Sequence, residues 1–273
     1  MIHLIKKLKI KALTSIIIVS FIFMGSNSYA YYDTYNHWAE PYIDEMFYAG
    51  ALSQFGYEYI YPDSLMTREE CAMLINDSFT AYYGYVPVYP PYGYTQFYDL
   101  NPYDYYSQIV SSLANLEYYS VYTSDFYYDD YGNVFYLPTS IIDGMPDGSF
   151  QPYSPVTRAQ FAKMIINALD CFGYLHLDSS MEFAYDGDYI GHWGERYLYM
   201  AQALGIMNGY NYFYNSYGAL YSTMLPDNPI TRAEAIKMTS TIKYYYYQNL
   251  SSRPNNDLTY YYYKLFDYNG FLY

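Results

Sequence analysis

Three times along its 273 residues the chain sets a threonine before an arginine, with a glutamate or glutamine three positions after the threonine: Thr67-Arg68-Glu69-Glu70, Thr157-Arg158-Ala159-Gln160 and Thr231-Arg232-Ala233-Glu234. This is the capping box of a helix start: the threonine oxygen takes an amide proton of the first turn, and the acid or amide reaches back to the threonine N–H. Met66, Val156 and Ile230 stand before the boxes, placed to staple onto Cys71, Phe161 and Ala235. Behind them Leu74 and Ile75, then Met164, Ile165 and Ala168, then Met238 and Ile242 recur at helical spacing. The chain must therefore bring together three capped, one-sided helices.

Each predicted helix is preceded by a second one. Asp33 and His37-Trp38 lead into Tyr42, Ile43, Met46 and Phe47, ending at Gly50; Asp186 and His192-Trp193 lead into Tyr197, Leu198, Ala201 and Leu204, ending at Gly205. The middle copy has Phe97 and Asp99, with Tyr105 in place of tryptophan, and continues through Val110 and Leu113. The unit is helix, loop, helix, and recurrence of such a unit is the mark of a repeat architecture. The repeats are read as 31–84, 95–172 and 181–247. An insertion at about 119–140 in the middle copy, rich in Tyr and Asp with Gly132-Asn133 at its turn, reads as a small hairpin or a long surface loop.

Capping accounts for the threonines and the acids but not for the arginines. At the first helical position a cation opposes the helix dipole, at a cost of roughly 0.3 to 1 kcal/mol. Two reasons would offset it: an ion pair with a carboxylate such as Asp33, Asp99 or Asp186, or an anion site in which helix amides and a forked guanidinium converge on a ligand carboxylate or phosphate. The residues alone leave both open.

The order Asp, His-Trp, apolar helix, Gly, then "PDGSFQP" from Pro146 and "TRAQ" or "TRAE" resembles the S-layer homology module, of which three copies are the usual complement. The resemblance runs from Tyr32 to about Tyr244. It implies a mainly α fold, three helix-loop-helix repeats in a pseudo-threefold arrangement. It also implies noncovalent anchoring to the bacterial cell wall, with a secondary cell-wall polysaccharide, typically pyruvylated, held in grooves between repeats. Arg158, Arg232 and Arg68 would read the ketal carboxylate, in that order of expectation. Asp33, Asp99 and Asp186 would order the groove, and Trp38 and Trp193 would support it or face the sugar, although packing in the core is the ordinary role of a tryptophan at a helix start. Gly144 and Gly148 fall in the loop between the two helices. Repeat one departs from the pattern, with "YEYIYPDSLM" in place of the Asp-Gly loop.

The remaining features bound the partners. Residues 1–30 place Lys6, Lys7, Lys9 and Lys11 before the apolar run Ala12 to Met24 and end in Ser28-Tyr29-Ala30, the pattern of a secretory signal. The run is shorter than the roughly 20 residues of a spanning helix, so the mature protein is expected in the cell wall, not in a membrane. The formal net charge is −14 before those lysines are lost, which excludes general affinity for nucleic acid or anionic membranes. Cys71 and Cys171 sit in apolar patterns and read as small hydrophobes, and neither a metal nor a cofactor is called for.

The chain holds 47 tyrosines, too many for a core in which each buried hydroxyl needs a partner. A Tyr-rich surface suits sugar contact or self-association in a surface layer or matrix, and 248–273 is a Tyr-rich tail. No nucleophile elbow, phosphate loop or metalloprotease motif is present. A wall glycoside hydrolase would need two flanking carboxylates, for which Asp129-Asp130 and Asp186 with Asp188 are the candidates. Asp143 to Asp147 and Asp186 to Asp188 offer oxygen ligands but lack the twelve-residue calcium loop.

Overall fold

The computed structural model describes residues 30–85, 93–120, 123–128, 131–175, 189, 191–214 and 220–243. The signal segment up to residue 29, the candidates Asp186 and Asp188, Asp129-Asp130 and the tail 248–273 lie outside the described residues. The fold is mainly α. The capped helices are α2 (Arg68–Tyr83), α4 (Arg158–Cys171) and α6 (Arg232–Ser240), and each is preceded by a shorter one, α1 (Glu40–Tyr48), α3 (Tyr105–Asn115) and α5 (Glu195–Ala203).

All three boxes close as expected. The Glu70, Gln160 and Glu234 amides donate to Thr67, Thr157 and Thr231 Oγ1 at 3.2–3.3 Å, and the threonine amides donate back to the side chains at 3.0–3.1 Å. Each such cap stabilises its helix by about 1 kcal/mol. The staple residues Met66, Val156 and Ile230 are fully buried, as are Cys71, Phe161 and Ala235.

The units close on one another in a ring. The Met66 amide donates to the Ile230 carbonyl, Ile230 to Val156, and Val156 to Met66, each at 2.9 Å, a triangle of backbone bonds around a pseudo-threefold axis. Around it α3 packs on α2, α5 on α4 and α1 on α6, so the first helix of each unit lies on the second helix of another. Outside the ring, the insertion forms a hairpin, β1 (Phe126–Tyr128) paired antiparallel with β2 (Val134–Tyr136). A second hairpin, β3 (Tyr210–Tyr214) with β4 (Leu220–Thr223), occurs in the last unit, where the sequence suggested only a loop.

The loop before each capped helix has the same backbone in all three units, including the first, despite its divergent sequence. Tyr61, Gln151 and Leu225, each six residues before a box threonine and each followed by proline, adopt the left-handed region at φ 52°, 58° and 49°. Side chains are disfavoured there, so something must hold the turn. Asp33 does so by accepting from the Ile60 and Tyr61 amides at 3.1 and 2.6 Å, and Asp99 by accepting from Phe150 and Gln151, both at 2.7 Å. In the middle loop Gly148 turns the chain at φ +84°, and Gly144 admits no side chain: a Cβ would stand 2.4 Å from Phe97 Cε1.

Candidate functional site

The amides at the three helix starts are not free for a ligand. The first two N–H groups of α2 donate to the Ser154 and Pro152 carbonyls, those of α4 to Asn228 and Pro226, and those of α6 to Ser64 and Pro62, at 2.9–3.0 Å. The third is held by the box threonine. Every orphan donor of the first turn is thus satisfied from a neighbouring unit or the cap, so the helix amides contribute nothing to the anion-site alternative.

The arginines follow the same route between units. Arg68 donates from Nε to the Phe150 carbonyl at 2.7 Å and from Nη2 to the Asp143 carbonyl at 2.8 Å, its guanidinium 4.7 Å from the Phe150 ring centre. Arg158 donates from Nε to Met224 O at 2.7 Å, from Nη2 to Asn208 O and from Nη1 to Tyr210 Oη, both at 2.9 Å. Arg232 donates from Nη1 to Ile60 O at 2.8 Å and lies over Phe55. Each guanidinium is a fork that fastens one unit's helix to another unit's loop. Of the carboxylates expected to pair with them, Asp33 and Asp99 hold loop amides instead and Asp186 lies outside the described residues; the pairs come from the boxes, Arg232 with Glu70 through both Nε and Nη2, and Arg158 Nη1 with Glu234 at 3.6 Å. The middle box has Gln160 at that place, and Arg68 makes no ion pair among the described residues. Burial lowers its pKa against the pull of Asp143 and Asp99.

At Arg158 the junction opens into a cavity of about 330 Å³ lined by Trp38, Arg158, Asn208, Tyr210, Glu234 and Lys237 among others. Its charges do not balance. Glu234 is the single carboxylate of the lining, and it also accepts from the Tyr210 hydroxyl. Burial and that bond push the Tyr210 phenol up to about 12. Lys237 makes no ion pair among the described residues, and burial, with Arg158 adding to it, lowers its pKa. The cavity therefore carries surplus positive charge in partly desolvated surroundings.

Trp38 and Trp193 are not core residues. Both are more than half exposed, at 56% and 57%. The preceding histidines are turned in instead: His37 Nδ1 accepts from the Ala39 amide at 3.1 Å and His192 Nδ1 from Gly194 at 3.0 Å, while their Nε2 atoms face Asp63 and Asp227. Histidine caps the helix start and the indole next to it is left facing outward, which puts Trp38 on the cavity. Sequence reasoning missed the capping role of His37 and His192 and the presence of Lys237. The available signal for Lys237 was its position, five residues after the box arginine, where Lys163 stands in the middle unit and Met73 in the first.

The remaining acids of the middle loop are engaged internally. Asp147 accepts from the Ser149 amide and hydroxyl, and Asp143 pairs with Lys163. Cys71 is buried and Cys171 half-buried, both as free thiols, with Cys171 pushed up to about 12 by burial. Among the described residues no helix is long and apolar enough to cross a membrane.

With this geometry in view, the sequence is matched by the family model described as the S-layer homology domain at residues 30–72 and 139–162. The match falls on the first unit and on the loop and helix start of the middle one. It is similar to a curated relative, the "Cellulosome-anchoring protein" of Acetivibrio thermocellus, at 28% identity over 99 residues, which is 36% of this chain and 20% of the relative. The alignment thus spans about a fifth of that relative's length.

Proposed function

We propose that the protein is a noncovalent anchor of the bacterial cell wall that binds an anionic secondary cell-wall polysaccharide, its acid group read at the Arg158 junction, and that it is not an enzyme. The observation that carries this is the cavity shared by Arg158, Lys237 and the exposed Trp38, with two cations against one carboxylate. A carboxylate such as that of a pyruvate ketal neutralises Lys237 directly. Arg158, nearly buried and bonded three times to protein, fixes the loop that shapes the cavity and adds its charge from behind. The Trp38 indole offers an apolar face to the ring of the sugar. The domain match and the anchoring relative support the same role.

The other junctions differ in charge. At Arg232 the pair with Glu70 is internal and Met73 replaces the lysine, so we rank this junction last rather than second. The direct test is co-sedimentation of the protein with purified wall sacculi before and after mild acid removal of ketal groups. Binding that depends on the ketal and falls in Lys237→Met supports the reading; binding indifferent to both contradicts it.

A second reading, self-association in a surface layer, is favoured by the β1–β2 hairpin. Phe126, Tyr127 and Tyr128 are all exposed, and Tyr127 stacks on Phe135 at 5.4 Å between ring centres. A two-stranded aromatic ribbon with open edges invites pairing. Sedimentation velocity at rising concentration decides this, and a strict monomer throughout removes it.

A further inference from the structure

Exposed tyrosines are scattered over the surface, but in one place in the first unit three of their rings meet. Tyr59 lies 5.9 Å from Tyr32 and 6.0 Å from Tyr61, ring centre to ring centre, and Tyr32, Tyr59 and Tyr61 are 73%, 47% and 58% exposed. Their hydroxyls make no hydrogen bond among the described residues. Tyr31, next in the chain, is the contrast: its ring is buried and its hydroxyl donates to the Leu52 carbonyl at 3.3 Å.

The backbone beneath the three rings is clamped. The Tyr32 amide donates to the Glu58 carbonyl at 2.9 Å, and Asp33 accepts from the Ile60 and Tyr61 amides. The start of the first unit is thereby tied to the loop that leads into α2, and Tyr32 is held beside Tyr59. Two phenols couple through the ring carbons beside their hydroxyls, and crowding next to the new bond twists the joined rings out of a common plane. Tyr32 and Tyr59 already stand at 56°, whereas Tyr59 and Tyr61 are nearly parallel at 23°. Exposed side chains change rotamer within ps–ns, which lets the ring edges of the tilted pair close. Other tyrosine pairs among the described residues suit coupling less: Tyr174 is buried against Tyr83, and Tyr105 and Tyr106 are neighbours in the chain.

We infer that Tyr32 and Tyr59 are a site of oxidative cross-linking, joined as dityrosine by a peroxidase with hydrogen peroxide. Each phenol gives one electron and its hydroxyl proton to the oxidant. The two phenoxyl radicals combine through a carbon–carbon bond between the ring carbons beside their oxygens, and each ring then moves the proton of that carbon to its oxygen, restoring both phenols. One peroxide is reduced to two waters for each bond formed. The bond joins residues 27 positions apart and encloses α1, the helix packed on α6. A cross-link of this span stabilises chiefly by restricting the unfolded chain. It fastens the first unit whatever the Arg158 cavity binds.

The test treats the full chain with peroxidase and limiting hydrogen peroxide, then digests it with a protease that cuts after glutamate. Cleavage after Glu45 and Glu58 puts Tyr32 and Tyr59 on different peptides, so mass spectrometry shows their bond as a joined pair lighter by two hydrogen atoms. This pair is expected to be the main cross-linked product, and the melting temperature is expected to rise by about 5 °C or more. Tyr32→Phe keeps an exposed ring but has no phenol, and it should abolish both effects. Tyr61→Phe should retain both. Links formed between copies of the chain, or links spread over Tyr131, Tyr153 and other exposed tyrosines in place of the joined pair, overturn the inference.

Discussion

The Arg158 and Arg232 junctions begin from the same four-residue box, the same cap and the same pair of helix amides bonded to another unit's loop, yet they present opposite surfaces. At Arg232 both sides of a carboxylate meet the guanidinium, and the residue three positions after that Glu70 is Met73. At Arg158 the glutamate stands off at 3.6 Å, shared with Tyr210, and the residue three positions after that Glu234 is Lys237. The repeated arginine is thus a structural fork in every unit, and the ligand chemistry is set by what surrounds it.

Arg158→Ala has the largest expected effect. Removing a nearly buried guanidinium leaves the Met224 and Asn208 carbonyls and Glu234 without their partner, and we expect a loss of about 3–5 kcal/mol of stability, measured by denaturant unfolding. Binding falls with it, so this variant alone says little about recognition. Lys237→Met separates the two: polysaccharide affinity drops at least tenfold by calorimetry, with stability changed by no more than about 0.5–1 kcal/mol.

Glu70→Gln acts on the Arg232 junction instead. Gln160 shows that glutamine completes the box, so α2 keeps its cap while Arg232 loses its carboxylate. We expect a cost of about 1–3 kcal/mol and a gain of ketal-dependent binding at that junction. A variant that loses stability without gaining binding would show that lysine, not charge balance, is what the Arg232 junction lacks.

Smaller effects follow from the insertion's attachment and from screening. Asp170 on α4 is buried and accepts from Thr123 Oγ1 at 2.6 Å, the residue that also meets Tyr118 at 3.0 Å. Burial raises its pKa, partly offset by the Ser120 and Thr123 bonds. The native state then binds more protons than the unfolded one between the ordinary Asp value, about 3.9, and the raised native value. This group's contribution is present at lower pH and is lost as pH rises through that window. Asp170→Asn should remove that slope, read as the difference between two stability-versus-pH curves. Salt should matter least: protein and polysaccharide are both net negative, and the contacts at Lys237 are partly desolvated. Affinity should change less than threefold between about 0.05 and 0.3 M NaCl, whereas a steep loss would indicate simple charge attraction.

The local signals were legible in the sequence because they are local. A capping box and an apolar period span a few residues, and all three boxes close as written. The fates of Arg68, Arg158 and Arg232 were not legible, since their partners lie 50 to 172 residues away in sequence. The same holds for the helix amides, whose acceptors belong to another unit. Tryptophan at a helix start suggested packing, but the histidine before it takes the inward place. The β3–β4 hairpin was hidden by composition: in so Tyr-rich a run the alternation of apolar and polar residue types that marks a strand disappears.

In the proposed anchor the Arg158 cavity reads an acid group through Lys237. The measurement that tests it most directly is a two-by-two cycle of affinities, wild type and Lys237→Met against the oligosaccharide with and without its ketal. If the account holds, either change costs at least tenfold and the two together cost little more than one, because both remove the same contact. If the losses multiply, ketal and lysine act independently, and the acid is read somewhere else.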